Sequence, residues 1–259
     1  MATLFIIATP IGNLQDISAR ALSVLRSVSV LACEDTRVTR KILSYYQIPR
    51  PPYLLSVHEY NEHKNVPRVI RFLSDGNDVA YASDAGMPGI SDPGYLLVHA
   101  ARAAGHGVVV IPGPSAVITA LVASGLPTTG FTFLGFPPRQ PGRRRRLLAR
   151  VALTPETLVF YESPRRLGGF LADALDILGD RRAAVAIDLT KMFETVEQGW
   201  LSELAERYGE PGRGETTVVI AGHSPKFMRG GRKWHEEAVP ACETVEEGTE
   251  ELFTSDPPA

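Results

Sequence analysis

Cysteine is scarce: Cys33 and Cys242 are the only two in 259 residues, far apart and without metal-ligand spacing. Neither a disulfide framework nor a zinc site is therefore indicated. No window approaches the unbroken apolar stretch of ~20 residues that a membrane span needs. The start, Met1-Ala2-Thr3, runs straight into an apolar segment without a basic region or a small-residue cleavage site, so no secretory signal is read there. These absences make a cytoplasmic location the expectation. Net charge is slight as well, −2 at neutral pH, and does not by itself advertise a nucleic-acid binder.

What is present is the balance of a globular enzyme, with 44% apolar and 22% charged residues in a chain long enough for two domains, each with its own core. The expected division is an α/β domain over residues 1–116, a second α/β domain over 117–222, and a disordered, Glu-rich tail over 223–259. Such a tail lowers the net charge and conceals a basic face, because Arg139, Arg143, Arg144, Arg145, Arg146 and Arg150 crowd into one segment.

Apolar runs followed by tight turns recur along the chain, the pattern of buried parallel strands with helices between them. Leu4 to Ala8 ends at Thr9-Pro10-Ile11-Gly12-Asn13, after which Asp16 or Ser18 caps a helix carrying Ala21, Leu22, Leu25 and Val28. Val28 to Cys33 reads as the second strand and delivers Glu34-Asp35-Thr36-Arg37, with Arg40 one helical turn beyond Arg37. That run is either a solvated first turn whose acids suit the helix dipole or a site where Arg grips phosphate and an acid takes a proton. Leu54 to His58 reads as a third strand, with His58 at its end, and Arg68 to Leu73 as an amphipathic helix. Val108 to Ile111 reads as another buried strand, ending in Pro112-Gly113-Pro114-Ser115-Ala116, where small residues open a helix whose N–H groups face the strand edge.

The densest signal follows Val79-Ala80-Tyr81-Ala82: Ser83 to Gly94 reads S-D-A-G-M-P-G-I-S-D-P-G. So many Gly, Pro and Asp residues behind a buried-strand pattern force a sharp turn at the strand's carboxyl end, where parallel α/β sheets bind ligands. In the second half, Thr157 to Tyr161 and Ala184 to Ile187 read as strands, Leu167 to Leu178 and Leu201 to Tyr208 as helices, and Phe193 to Gly199 and Thr216 to Ile220 as antiparallel strands. Four adjacent Arg at a helix start, Arg143 to Arg146, are either a solvated face or a phosphate-gripping cluster.

The S-D-A-G-x-P-x-I-S-D-P-G run, together with E-D-T-R-x-T-R and F-Y-E-S-P-x-R, resembles the bacterial 16S rRNA ribose 2′-O-methyltransferase I family, a branch of the tetrapyrrole methylase superfamily. Pro10, Ile11, Gly12 and Asn13 stand where other branches carry a Gly-x-Gly-x-Gly-Asp loop, and Asp188 stands where Glu is commoner. The resemblance implies two α/β domains of the tetrapyrrole methylase type, S-adenosyl-L-methionine in the cleft between them, a homodimer, and methyl transfer to the ribose of a decoding-centre cytidine in the small ribosomal subunit. It assigns cofactor contact to Pro10, Ile11 and Gly12, to Ala82, Ser83, Asp84, Gly86 and Met87, to Ser115 and Ala116, and to Tyr161, Glu162, Lys191 and Thr217. Asp35 or Glu34 is then the candidate base and Lys191 the candidate charge-stabilising or hydroxyl-orienting residue. Arg37, Arg40, His58 and Arg143 to Arg146 are candidates for RNA contact. Two other readings stay open: a small-molecule methylase of the same superfamily, and a non-catalytic rRNA-binding assembly factor.

Overall fold

A computed structural model describes residues 2–230. In the first half, strands β1 (Thr3–Ile7), β2 (Val30–Cys33), β3 (Tyr53–Ser56), β4 (Val79–Ala82) and β5 (Gly107–Ile111) alternate with helices α1 (Ala19–Ser27), α2 (Thr36–Tyr45), α3 (Glu62–Ser74) and α4 (Tyr95–Ala103). The strands lie in the order β3-β2-β4-β1-β5 and every neighbouring pair is parallel. The central strands are apolar throughout because helices cover both faces. Leu4, Ile6, Val30, Ala32, Val79 and Tyr81 pack on one side against Val69, Leu73, Leu97 and Ala101 of α3 and α4. Ile7, Leu31, Ala80 and Ala82 point to the other side, against Ala21 and Leu25 of α1 and Ile42 and Leu43 of α2.

A parallel sheet gathers all its carboxyl ends on one edge, so the turns after β1, β2, β3, β4 and β5 converge there. Two of them are stitched together: Thr9 and Gly86 exchange backbone hydrogen bonds of 2.9 and 3.0 Å.

Three local expectations differ. β5 is the sheet's edge strand, and Val109 and Val110 are exposed at 36% and 51%; a valine run looks the same in sequence whether or not a neighbour covers it. Helix α3 starts at Glu62 rather than Arg68, with Pro67 inside it, so the helix tolerates one missing N–H near its start. The strand expected at Leu54 to His58 is Tyr53–Ser56, which leaves His58 in the following turn.

The second half carries α5 (Ala116–Ala123), β6 (Phe131–Phe133), α6 (Pro141–Arg150), β7 (Thr157–Glu162), α7 (Leu167–Leu178), β8 (Arg182–Ile187), β9 (Thr195–Trp200), α8 (Leu201–Arg207) and β10 (Thr216–Ile220). Its sheet runs β6-β7-β10-β8-β9, parallel between β6 and β7 and antiparallel elsewhere. Helices α6, α7 and α8 cover one face through Leu148, Phe170, Leu171 and Leu204. The other face, with Val159, Ala184, Ala186 and Val219, is covered by Val117, Ala120 and Leu121 of α5 and also by Ile11 from the turn after β1.

The chain keeps defined contacts past Gly222. His223 N–H donates to the Thr154 carbonyl at 2.7 Å, Arg229 N–H to that of Asp180 at 2.8 Å, and Met228 bridges Arg181. Residues 223–230 are therefore part of the fold, which corrects the expectation of a tail from His223; the remainder of that tail lies outside the described residues. Arg181 holds this end of the molecule together. Its side chain is buried, and its guanidinium donates to the carbonyls of Leu178 at 2.8 Å, Ala221 at 3.4 Å and Ala152.

Candidate active site

Each turn on the shared edge has a reason for its shape. In the turn after β1, a side chain on Gly12 would lie 2.5 Å from Lys191 Cγ and 2.8 Å from the Leu189 carbonyl, so only glycine permits the close approach to the β8–β9 turn. Asn13 N–H then donates to Thr190 Oγ1 at 3.0 Å. The Ser83 to Gly94 turn is closed by Ser83 Oγ donating to the Gly86 carbonyl at 3.0 Å and by Gly94 N–H donating to the buried Glu62 carboxylate at 3.0 Å. Gly86 has φ 82°, and Ser91, a non-glycine, is held at φ 60°, a conformation that costs energy unless its surroundings impose it.

Between these turns and the second sheet lies a cleft of about 350 Å³, within the range of small-molecule sites. The first half contributes Ile11, Gly86, Met87, Ile90, Asp92, Ser115 and Ala116. The second contributes Phe136, Tyr161, Glu162, Leu189, Glu215, Thr216 and Thr217. Tyr161 packs edge-on to Phe133, with ring centroids 4.9 Å apart, and burial pushes its phenol up to about 12. Glu162 is almost fully buried; its Oε1 accepts the Ser163 N–H at 2.6 Å and pairs with Arg166. Burial still raises its carboxyl above the usual range. Glu162 Oε2 and Thr216 Oγ1 are both buried and without a hydrogen-bond partner among the described residues. Buried polar atoms are rarely left so, and these belong to residues of the cleft wall while being themselves closed off from it.

Beside the cleft sits a group of acids. Asp35 caps α2 by accepting the Arg37 N–H at 2.8 Å, and it also takes the Arg37 guanidinium at 3.0 and 3.1 Å. Those hydrogen bonds hold its carboxyl down at about 2, which makes it a poor proton acceptor. Asp84 Oδ1 accepts the Asp35 N–H at 2.9 Å, and Asp84 N–H faces Glu34 Oε2 at 3.5 Å. Burial first, and then mutual repulsion, pushes Glu34 upward; Asp84 is raised by burial and by Asp35. The same forces push Asp92 up to about 7.

Residues 3–205 match the profile of the family described as Tetrapyrrole (Corrin/Porphyrin) Methylases. The chain belongs to the tetrapyrrole methylase family. Among its members are proteins named ribosomal RNA small subunit methyltransferase I. The one from Xylella fastidiosa Temecula1 is 48% identical over 224 residues, 85% of this chain and 81% of that protein. The one from Pseudomonas aeruginosa is 48% identical, with 85% and 79% covered, and the one from Thermotoga maritima 44%, with 86% and 99% covered. Solved tetrapyrrole methylase structures share the fold. Uroporphyrin-III-C-methyltransferase from Thermus thermophilus superposes with a TM-score of 0.62 at 22% identity, covering 85% of this chain and 94% of that one. The methyltransferase CobJ superposes at 0.66 and 16% identity, covering 86% and 95%.

Within this tetrapyrrole methylase, eight of the residues named from the sequence as cofactor contacts line the cleft: Ile11, Gly86, Met87, Ser115, Ala116, Tyr161, Glu162 and Thr217. Pro10, Gly12, Ala82, Ser83, Asp84 and Lys191 are not among its lining residues. Lys191 Nζ pairs with Asp188 at 2.8 Å and Glu215 at 3.2 Å. Burial alone would lower its affinity for a proton, yet those two carboxylates raise it overall. Asp92, Phe136, Glu215 and Thr216 were missed. Asp92 falls inside the S-D-A-G to D-P-G run and was legible there, whereas Glu215 and Thr216 reach the cleft only through the pairing of β10 with β7 and β8.

The four-Arg run divides in two. Arg144 is buried and pairs with Asp173 of α7 at 2.5 Å, also donating to the Gly169 carbonyl at 3.2 Å. Arg145 pairs with Asp173 at 3.0 Å and with Asp176. The expectation of RNA contact is corrected for Arg144, which is buried; Arg143 and Arg146 are exposed, as are Arg37 and Arg40 on α2, while Arg145 is part-exposed and held by its two acids. His58 is half-buried, with its N–H donating to Asn61 Oδ1 at 2.9 Å and its ring Nδ1 unpartnered among the described residues.

Proposed function

We propose that this chain is an rRNA methyltransferase of the small ribosomal subunit, transferring a methyl group from S-adenosyl-L-methionine to the ribose 2′-hydroxyl of a decoding-centre cytidine in 16S rRNA. The observation that carries the reading is the cleft, whose volume and lining, an apolar wall with Ser115, Thr217 and backbone polar groups beside it, suit a small polar ligand with an apolar part. The family and the printed names of its members supply the reaction and the polymer. Bound there, S-adenosyl-L-methionine would supply a sulfonium methyl group.

The chain's own residues then have definite tasks. Ser115 and Ala116, small and at the start of α5, let the ligand approach the helix backbone. Tyr161 and Phe136 give an apolar wall that excludes water, and Ile11 closes the floor. Lys191 acts through Glu215 and the Gly12 contact, holding the rim in place, so its part is positioning. Positioning is the main lever for an in-line transfer, where well-oriented reactants gain ~7 to 11 kcal/mol.

A homodimer fits the exposed Ile118 and Val122, one turn apart on α5, and the unpaired edge strand β5 with its exposed Val110, since exposed apolar groups and open sheet edges mark association sites. Cytoplasmic ribosomes are the partner, and among the described residues no helix is long and apolar enough to cross a membrane. For the rRNA itself, Arg143 and Arg146 are the outward pair. Replacing both with alanine is expected to weaken rRNA binding and flatten its log–log salt dependence by about 1 to 2 units, measured by filter binding across a salt series. Arg144→Ala is expected instead to lower the melting temperature, because it leaves Asp173 short of a partner.

The direct test is transfer of labelled methyl from S-adenosyl-L-methionine to small subunits that lack the modification, with the product nucleoside identified by mass spectrometry. A 2′-O-methylated cytidine is the expected product. Methyl on a base, or transfer only to small-molecule acceptors, would overturn the ribose assignment, and failure to bind the cofactor would favour a non-catalytic rRNA-binding role.

A further inference from the structure

Three carboxyl groups line the cleft: Glu162, Glu215 and Asp92. Glu162 is engaged by Arg166 and the Ser163 N–H, and Glu215 by Lys191. Asp92 differs, since among the described residues no hydrogen bond or ion pair engages it, although it is partly buried. The charged and titratable groups that act on it sharpen the contrast. Glu34 from the end of β2 and Asp84 from the start of its own turn are both acids. Tyr81 of β4 and Tyr161 of β7 face it as phenols that its charge pushes upward. Among the described residues no cation acts on it. An unpaired, partly desolvated carboxylate among like charges is costly, and the turn that presents it is itself strained at Ser91. Phe136, Tyr161 and Thr217 of the second half line the same cleft, so this acid faces a ligand cavity and not bulk solvent alone.

We infer that Asp92 is the catalytic proton acceptor of the methyl transfer, with Glu34 and Asp84 as the charges that flank it. The inference rests on the ribose-methylation reading above. In the step, the 2′-oxygen forms its bond to the methyl carbon as the carbon–sulfur bond breaks. The sulfur leaves with that electron pair, and the hydroxyl proton passes to an Asp92 oxygen and then to water. Asp35, capping α2 and held by Arg37, is unavailable for this task, and Glu34 tunes the acceptor from behind. Because acids repel one another's charged forms, the three titrate as a group, and removing either neighbour makes Asp92 easier to deprotonate.

Two measurements test this. The first needs neither cofactor nor RNA: carbon-13 NMR titration of the labelled aspartate and glutamate carboxyls in the full chain. One carboxyl is expected to titrate at about 7, to vanish in Asp92→Asn, and to move toward acid in Glu34→Gln and Asp84→Asn. The second is the pH profile of methyl transfer to small subunits. Turnover is expected to rise through the same pH, to fall by about 100-fold or more in Asp92→Asn, and to rise at lower pH in Glu34→Gln. No carboxyl titrating above the ordinary range would overturn the inference. So would an Asp92→Asn enzyme that keeps the rising limb, or one whose entire loss lies in cofactor affinity rather than turnover. If Asp92→Asn fails to fold, the acidward shifts in Glu34→Gln and Asp84→Asn decide the matter. A wild-type chain that titrates as described yet methylates no RNA would refute the proposed function, not the acid cluster.

Discussion

Replacing Arg181 with methionine is expected to destabilise the protein by about 3 kcal/mol, because two buried carbonyl oxygens and one half-buried one lose their donor at once. Its guanidinium gathers the carbonyls of Leu178 at the end of α7, Ala152 after α6 and Ala221 after β10, and each buried acceptor left unsatisfied costs about 1 to 3 kcal/mol. An opposing effect exists: burial makes the charged guanidinium itself harder to keep, and methionine removes that cost. The carbonyls win because they are fixed by the backbone. Leu178 in particular closes a helix, where a cation is favoured and an uncapped carbonyl is not. For a chain of this size, such a loss corresponds to a fall in melting temperature on the order of 6 to 12 °C. Calorimetry on Arg181→Met and Arg181→Lys decides it: lysine, with one ammonium in place of the fork, should fall between. A methionine variant that melts with wild type would show that the three contacts contribute nothing net.

Ala116→Phe is expected to weaken binding of S-adenosyl-L-methionine by about 100-fold or more, equivalent to about 2.7 kcal/mol, while leaving the fold nearly as stable. Ala116 opens α5 and lines the cleft, so a ring attached there projects into space that the ligand would occupy. It does not enter the packed cluster of Val117, Ala120 and Leu121 beneath. Overfilling a packed core costs 1 to 3 kcal/mol, whereas a ring placed in an open cleft escapes most of that. Titration calorimetry gives the affinity and thermal denaturation the stability. An affinity within a few-fold of wild type would place the cofactor elsewhere.

Much of this architecture could be read from the sequence, and the reasons differ by element. Helix α7 spans Leu167–Leu178 as expected, since its apolar spacing and following Gly179 leave little choice. The Ser83 to Gly94 turn announced itself by Gly and Pro density. What escaped was whatever depends on a distant partner. Arg144 and Arg145 read as free cations because Asp173 lies 29 and 28 residues further on, one helix away. The edge position of β5 depends on strand order, which no local pattern encodes. Part of the second wall of the cleft, Glu215, Thr216 and Thr217, comes from the start of β10 and the turn before it, which reach the cleft only after the antiparallel pairing is made. Asp35 and Glu34 were adjacent and equally acidic in sequence; a cap on one and burial of the other separate them in space.

Ile11 belongs by sequence to the first half of the chain, yet its side chain sits among Val117, Leu121, Val159, Ala186 and Val219 in the cluster that covers the second sheet. Withdrawing such a side chain into water costs about 1.5 to 3 kcal/mol, and the Gly12 contact with Leu189 and Lys191 would have to part with it. Swinging the two halves apart like a book carries that cost, which holds an open form to a minor population. Opening of the cleft and unfolding are coupled through this one contact, by which damage to either sheet is felt by the other.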